Sequence, residues 1–489
     1  MLARITSMLR ESMFYSIPLF ANRLLGFALL PVYTRYLSPA DYGVLELLDL
    51  TISFIATIVW MRFSNAIVFY YFAAKTPEER GSVSSTAFAG ATGVGLVFSS
   101  VLFFLAGPLS QLVLGSVEYT HFFRLVAIGW ALSLPIEAGL TLSRAQNRSR
   151  AFAAVSVVRT GLMAVVNVVL LVAAHMGVAA MLWGAITASA LISIYYVWDI
   201  YRAAPLRFNT GIFLNMARYA LPLGVSGLAT FFIHYGDRYF LRQTVTLSEI
   251  GIYSLAYKLG MMISFVHMPF NMYWNAQMFA VMRERDADRV YVRVATYLTF
   301  VLTYATLMVM VFAKALLRIT AAPDFWPAAA LVPFLAMAYL FRSLASHFMN
   351  LFLLEKKPGL EAETNLVSTA VCAAGYFVLI PPFGAWGAAW ATLLTFAFML
   401  VYAIYRTQRL RRFSLEYGRM LQLVSVAGFF AAAYYAIAPQ SVWMQIAIAL
   451  LIALAYPLTL MATGFFRHEE WKSIQGAWLS LRTRISPQQ

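Results

Sequence analysis

Runs of about twenty apolar residues follow one another along almost the whole chain, and this feature leaves few folds open. A helix rises about 1.5 Å per residue and a bilayer's hydrocarbon core is about 30 Å thick, so each run is long enough to cross it. About fourteen can be read, near 12–33, 43–68, 82–107, 119–141, 151–173, 177–200, 213–236, 248–277, 292–313, 326–349, 362–381, 384–405, 418–437 and 441–465. Of the 489 residues, 61% are apolar and only 12% charged, which excludes a soluble globular chain. The expected fold class is all-α, a polytopic membrane protein of about fourteen transmembrane helices. The first run lacks a small-residue cleavage site and is expected to stay as a span. Ahead of it, Leu2, Ile5, Met8 and Leu9 with Arg4 and Arg10 predict a short interfacial helix.

The net charge of +15 raises the question of a nucleic-acid partner, which the placement of the charges answers. Lys and Arg gather in every second gap between runs, as in Arg144, Arg148 and Arg150, or Arg406, Arg409, Arg411 and Arg412. These gaps hold about 25 of the 36 basic residues and the intervening gaps about 6, which is the positive-inside pattern. Both termini are expected in the cytoplasm, with an even number of spans and no nucleic-acid partner. The single cysteine, Cys372, excludes a disulfide framework and a cysteine metal site.

A weak internal repeat runs at an offset of about 203 to 208 residues, of the kind from which many transporters are built. Pro18 matches Pro222, Arg35-Tyr36-Leu37 matches Arg238-Tyr239-Phe240, and Asp41-Tyr42-Gly43 matches Glu249-Ile250-Gly251. HMGVAAMLWGAITASA around Gly177 matches PFGAWGAAWATLLTFA around Gly384. The expected organisation is an N-terminal lobe over 1–205, a C-terminal lobe over 206–410 and two extra spans with a tail over 411–489. Six spans per half put the two copies in the same orientation, related by a pseudo-twofold axis along the membrane normal with a cleft between them. No gap has room for a soluble domain.

Polar residues at helical spacing mark faces turned toward protein or water. The second span carries Glu46, Asp49, Ser53, Thr57 and Ser64. The seventh carries Ser226, Thr230 and His234, leading to Asp237 and Arg238, and the eighth carries Tyr253, Tyr257, Ser264, His267, Asn271 and Asn275. Among cations inside spans Arg23 is the deepest, where a guanidinium costs about 2.5 to 3.5 kcal/mol unless it meets water or a partner. Lys258 lies about three turns deep in its span. Arg62, Arg159 and Arg342 sit within about two turns of a helix end and are also able to snorkel to the interface. The candidate substrate-binding residues are therefore Arg23, Arg62, Arg159, Arg238, Lys258 and Asn271. Candidates for gating or coupling are Asp41, Glu137, His234, Asp237 and His267, with Glu137 a cross-helix partner for Arg159. Each has a structural alternative: an interfacial ion pair for Asp237 and Arg238, plain hydrogen bonding for the histidines, helix–helix contact for Asn167, Asn271 and Asn275.

Helical His-Glu-x-x-His, Gly-x-x-x-x-Gly-Lys and Gly-x-Ser-x-Gly motifs are missing from the sequence, and an ATP-driven pump would need a soluble nucleotide domain. A secondary transporter needs none of these.

The segment RYLSPADYGVLELLDL after the first run resembles the motif of the polysaccharide flippases of the multidrug/oligosaccharidyl-lipid/polysaccharide exporter superfamily. ARYALPLGVSGLATFFIHYGDRYFLRQTVTLSEIGIYSLAYKLG resembles the same family's signature over spans seven and eight. The resemblance implies fourteen helices in two lobes, a central cationic cavity, and movement of an undecaprenyl-diphosphate-linked sugar across the bacterial inner membrane by alternating access. It likens Arg23 to a cavity-lining arginine of the related lipid II flippases, Asp41 to an acidic residue of the loop after span one, and Arg62 to a second-span arginine. The acidic residue that drug-exporting relatives carry in span one is missing, which weakens the alternative of a cation-coupled drug exporter. A membrane polymerase or acyltransferase is a further alternative. No cofactor is expected; the expected coupling ion is H+ or Na+. Partners expected besides the lipid-linked substrate and the bilayer are a polysaccharide polymerase and glycosyltransferases.

Overall fold

The computed structural model describes residues 21, 24–59, 63–203 and 208–467, apart from a few side chains, and shows helices and turns with no strand among them. Arg23, Arg62 and the interfacial helix expected over the first ten residues lie outside that set. A first helix, α1, is described over 24–36. It is followed by α2 (Pro39–Val59), α3 (Phe63–Ala73), α4 (Pro77–Phe104), α5 (Ala106–Leu114), α6 (Thr120–Ala145), α7 (Ser149–Val172) and α8 (Val178–Ala203). Next come α9 (Thr210–Tyr235), α10 (Asp237–Thr244), α11 (Leu247–Gly260), α12 (Met262–Val281), α13 (Ala287–Thr320) and, after a 3-10 segment Pro323–Ala330, α14 (Val332–Leu354). The chain ends with α15 (Gly359–Leu410), α16 (Tyr417–Ile437) and α17 (Val442–Ala462).

Among the described residues, ten helices are long and apolar enough to cross a membrane, and eleven if the pair Pro323–Ala330 and Val332–Leu354, bent by 50°, forms one span. α15 counts once in that total yet folds back on itself. Gly384 breaks it at φ 52° and ψ −128°, a conformation that essentially only glycine tolerates, just after Pro381 and Pro382 remove two backbone donors. The two arms then run so close that a Cβ on Gly387 would lie 1.9 Å from the Leu379 carbonyl oxygen. The chain is thus an all-helical, multi-pass membrane protein.

The chain divides into two compact units. One comprises 1–255, 320–325 and 365–391; the other comprises 256–319, 326–364 and 392–489. In the first unit α6 packs between α4 and α8, and α8 also packs on α7. Small residues allow this closeness: a Cβ on Gly139 of α6 would meet the Tyr196 ring of α8 at 2.4 Å, and one on Gly184 of α8 would meet the Asn167 amide of α7 at 1.8 Å. Where chain polarity resumes at a span end, side chains cap the helix: Thr76 and Glu79 form a reciprocal capping box ahead of Pro77. In the second unit α13, α16 and α17 share an apolar core of Leu307, Val311, Leu423, Tyr434, Ile452 and Tyr456. The outer faces of α16 and α17 leave Leu421, Phe429, Leu450, Leu454 and Leu458 exposed, as helices against lipid do.

Candidate functional site

In the first unit, α10 is an eight-residue helix whose side chains tie four neighbours together. Gly236 turns the chain from α9 into α10 with no room for a side chain, since a Cβ there would stand 2.6 Å from the Phe232 carbonyl oxygen. Arg242 donates to the Leu114 carbonyl at the end of α5 at 2.6 Å, the favourable place for a cation on a helix dipole. Tyr239 shares a 3.3 Å hydrogen bond with Thr51 of α2.

At the first turn of α10, Asp237 and Arg238 are 0% and 1% exposed. Arg238 Nη1 donates to Asp237 Oδ1 at 2.7 Å and to the His234 carbonyl at 3.1 Å, and its backbone N–H donates to the same carboxylate at 3.0 Å. Asp237 Oδ2 accepts from the Tyr253 hydroxyl of α11. Glu46 of α2, also buried, holds its carboxylate 3.9 Å from Arg238 Nε. The guanidinium carbon lies 5.1 Å from the Tyr253 ring and 5.8 Å from that of Tyr235. Two carboxylates therefore share one buried guanidinium, with Asp237 bound tightly on both oxygens and Glu46 held more loosely. Ion pairs desolvated to this degree are strongly coupled: removing one partner strands the charge of the other.

Four helices supply the cluster, and neither the Asp237 nor the Arg238 side chain reaches the protein surface. Glu46 and Tyr253 belong to the polar stripes of the second and eighth spans, so helical spacing found them without assigning them to the site. His234 contributes its carbonyl, and its ring packs 6.0 Å from that of Tyr235.

Just before the cluster's helices, the two copies of the repeated motif meet. Ser38 and Asp41 cap α2 reciprocally, with backbone-to-side-chain bonds of 3.0 and 3.1 Å. Thr246 and Glu249 cap α11 in the same way, at 3.2 and 3.3 Å. Asp41 thus acts here as a helix cap. The helices then cross on their glycines: a Cβ on Gly43 would lie 2.0 Å from the Leu247 carbonyl oxygen, and one on Gly251 would lie 2.0 Å from that of Pro39. Each contact is the image of the other in the matched segments.

The remaining candidates fall elsewhere. Arg159 of α7 pairs with Glu137 of α6 at 3.4 Å, with both side chains partly exposed. In the second unit Lys258 is exposed, His267 of α12 is buried, and Asn271 accepts from Asn350 of α14 at 2.9 Å. Phe270 connects His267, with ring centroids 6.2 Å apart, to His347 of α14, at 5.9 Å. Sequence reasoning passed over His347 and Asn350, which with Ser343 stand at steps of four and three on α14 and form a buried polar stripe like those it read on other spans. It also passed over a bidentate pair, Arg148 to Asp199 at 2.7 and 3.0 Å. That pair edges a polar cavity of about 310 Å³ lined also by Arg80, Ser85, Ser143 and Tyr196. The Asp199 hydrogen bond pushes the Arg148 pKa further up, so this guanidinium stays charged.

This arrangement of helices is shared with solved structures. It aligns with the structure of "Lipid II flippase MurJ, inward closed conformation" at a TM-score of 0.75 and 12% identity, over 92% of this chain and 99% of that one. It also aligns with an inward-facing multidrug resistance MATE family transporter of the MOP superfamily, at a TM-score of 0.65 and 15% identity, over 83% and 99%. Residues 32–269 match the family described as "Polysaccharide biosynthesis protein". The succinoglycan biosynthesis transport protein ExoT of Rhizobium meliloti (strain 1021) is 26% identical over 233 residues, which span 47% of this chain and 45% of that protein. The segment RYLSPADYGVLELLDL, which carries the resemblance to polysaccharide flippases, lies within the matched residues 32–269, just under half of the chain, and the shared helical arrangement shows the fold alone.

Proposed function

We propose that the protein is a flippase that carries an undecaprenyl-diphosphate-linked oligosaccharide across the bacterial inner membrane by alternating access, for cell-surface polysaccharide synthesis. One observation supports this most: the segment that matches a polysaccharide biosynthesis family lies within a fold shared along 92% of the chain with a lipid II flippase. Physical chemistry points the same way. A diphosphate is bound well by forked guanidinium donors, and a sugar head group needs a hydrated, positive path to replace the water it leaves. In this proposal Arg23, Arg62, Arg159 and Lys258 supply that charge between halves at 1–205 and 206–410, both termini are cytoplasmic, and H+ or Na+ is exchanged at Glu46 and Asp237, the carboxylates that hold the buried Arg238. Polymerase and glycosyltransferase partners complete the pathway.

The test is transport of defined lipid-linked sugars into proteoliposomes, with and without a proton or sodium gradient. Arg23→Ala is expected to abolish complementation of a flippase-deficient strain with expression intact; full activity of that variant defeats the assignment. A cation-coupled multidrug exporter is the second reading, supported by the MATE alignment. Gradient-driven export of cationic dyes, with no movement of lipid-linked sugar, would favour it.

A further inference from the structure

We propose that a cup in the second unit, at the ends of α13 and α16, is a binding site for a lipid phosphate. The cup has a volume of about 310 Å³, and its walls include Lys314, Arg318, Trp326, Tyr434, Tyr435 and Pro439. It has two cations and no carboxylate in its lining.

The individual side chains support an anionic occupant. Arg318 is held by a hydrogen bond from Nη1 to the Gln440 carbonyl, with its guanidinium carbon 5.5 Å from the Trp326 ring. The pose is fixed while other N–H groups of the fork remain to bind a phosphate oxygen. Lys314 has no ion-pair or hydrogen-bond partner among the described residues. The Tyr434 hydroxyl is buried and likewise lacks a partner among them, which is a costly position for a polar group. Tyr435 is fixed by its bond to the Met310 carbonyl at 3.1 Å and brings its ring to the wall.

Location narrows the ligand class. Lys314 lies six residues before the end of α13, about 9 Å along the axis, and Arg318 lies in the last turn. Tyr434 and Tyr435 stand in the last turn of α16. Cations and aromatic residues thus gather within the last two turns of these spans, the part of a helix that meets the head-group layer in a membrane protein, next to walls that continue as apolar helix. A ligand with a phosphate head and a hydrocarbon tail meets all of these groups at once. A soluble anion would leave the apolar wall unused. The phosphate has two sources, an anionic phospholipid of the bilayer or a prenyl carrier; only the second rests on the flippase function proposed above.

The experiment uses the purified full-length protein in detergent, with native mass spectrometry of binding to phosphatidylglycerol, undecaprenyl phosphate and phosphate-free diacylglycerol. Lys314→Gln breaks no bond within the fold, and its thermal stability without lipid should match the parent. Each cation near a membrane surface contributes about 1 kcal/mol toward anionic lipid, roughly fivefold in affinity. Lys314→Gln is therefore expected to weaken phosphatidylglycerol or undecaprenyl phosphate about fivefold, and Lys314→Gln with Arg318→Gln about twenty-fivefold, with diacylglycerol unchanged. A loss confined to undecaprenyl phosphate assigns the carrier, and a loss for both assigns any lipid phosphate. Lipid binding lost while sugar transport fails to occur in any preparation leaves the site standing and defeats the flippase function instead. Parent-like binding of both lipids by Lys314→Gln overturns the proposal and reduces these residues to an interfacial belt.

Discussion

Arg238→Gln removes the one positive charge from a cluster that also holds Asp237 and Glu46, and the size of its effect follows from burial. The three side chains are 1%, 0% and 7% exposed, so water cannot replace the lost guanidinium. Breaking a buried pair by deleting one partner costs about 3 to 5 kcal/mol, which lowers the folding equilibrium by roughly two to four orders of magnitude. The partly exposed pair of Arg148 and Asp199, whose side chains are 39% and 20% exposed, sets the contrast: Arg148→Gln should cost about 0 to 1 kcal/mol. Thermal unfolding of the purified protein in nanodiscs, followed by tryptophan fluorescence, would rank the variants. Arg238→Gln should unfold far below the parent, Arg148→Gln close to it, and Arg238→Gln with Asp237→Asn between the two, because the second change neutralises the stranded carboxylate. An Arg238→Gln protein as stable as the parent, or a double variant no better than the single one, would refute the reasoning.

Other variants test the close backbone approaches. Gly43→Ala would place a methyl group 2.0 Å from the Leu247 carbonyl oxygen and force α2 and α11 apart by roughly 1 Å or more in a tightly packed interior, so both melting temperature and complementation should fall. Gly251→Ala should do the same, whereas Gly161→Ala, with open space around it, should be neutral; equal behaviour of all three would refute the crossing. Gly384→Ala imposes a side chain at φ 52° and 2.9 Å from a Val245 methyl carbon, and should destabilise by about 1 to 3 kcal/mol in the same unfolding assay; a neutral result would mean that the hairpin is not held as described.

The fold was legible where chemistry is local. Pro381, Pro382 and Gly384 divide two apolar runs in the sequence and break α15 in space. Asp41-Tyr42-Gly43 and Glu249-Ile250-Gly251 stand out as matched because capping and close crossing each demand particular residues at fixed spacing. The site was legible only in pieces. A polar stripe says which face of a helix is not lipid-facing, and so it yielded Glu46 and Tyr253, but it does not say which other helix lies opposite. Depth was the harder quantity: Asp237 and Arg238 end a run, which suggests an interface, yet α2, from far back in the sequence, and the adjacent α11 bring Glu46 and Tyr253 against them. The cup joins the end of α13 and the nearby Trp326 to α16, which lies far along the chain, and no periodicity announces it. α5 itself was read as part of a gap, because nine residues ended by Gly115 are too few to show a helical period.

At the crossing of α2 and α11 the nearest approaches are to main-chain carbonyls, and the two occupy equivalent positions of the duplicated motif. A crossing of this kind has no side-chain rotamers at its nearest contacts, so relieving any strain there would need whole helices to move as rigid bodies. Duplication adds a further constraint: a bulkier residue at either glycine wedges the same seam, and because the obstacle it meets is backbone, no second substitution elsewhere can carve out the space.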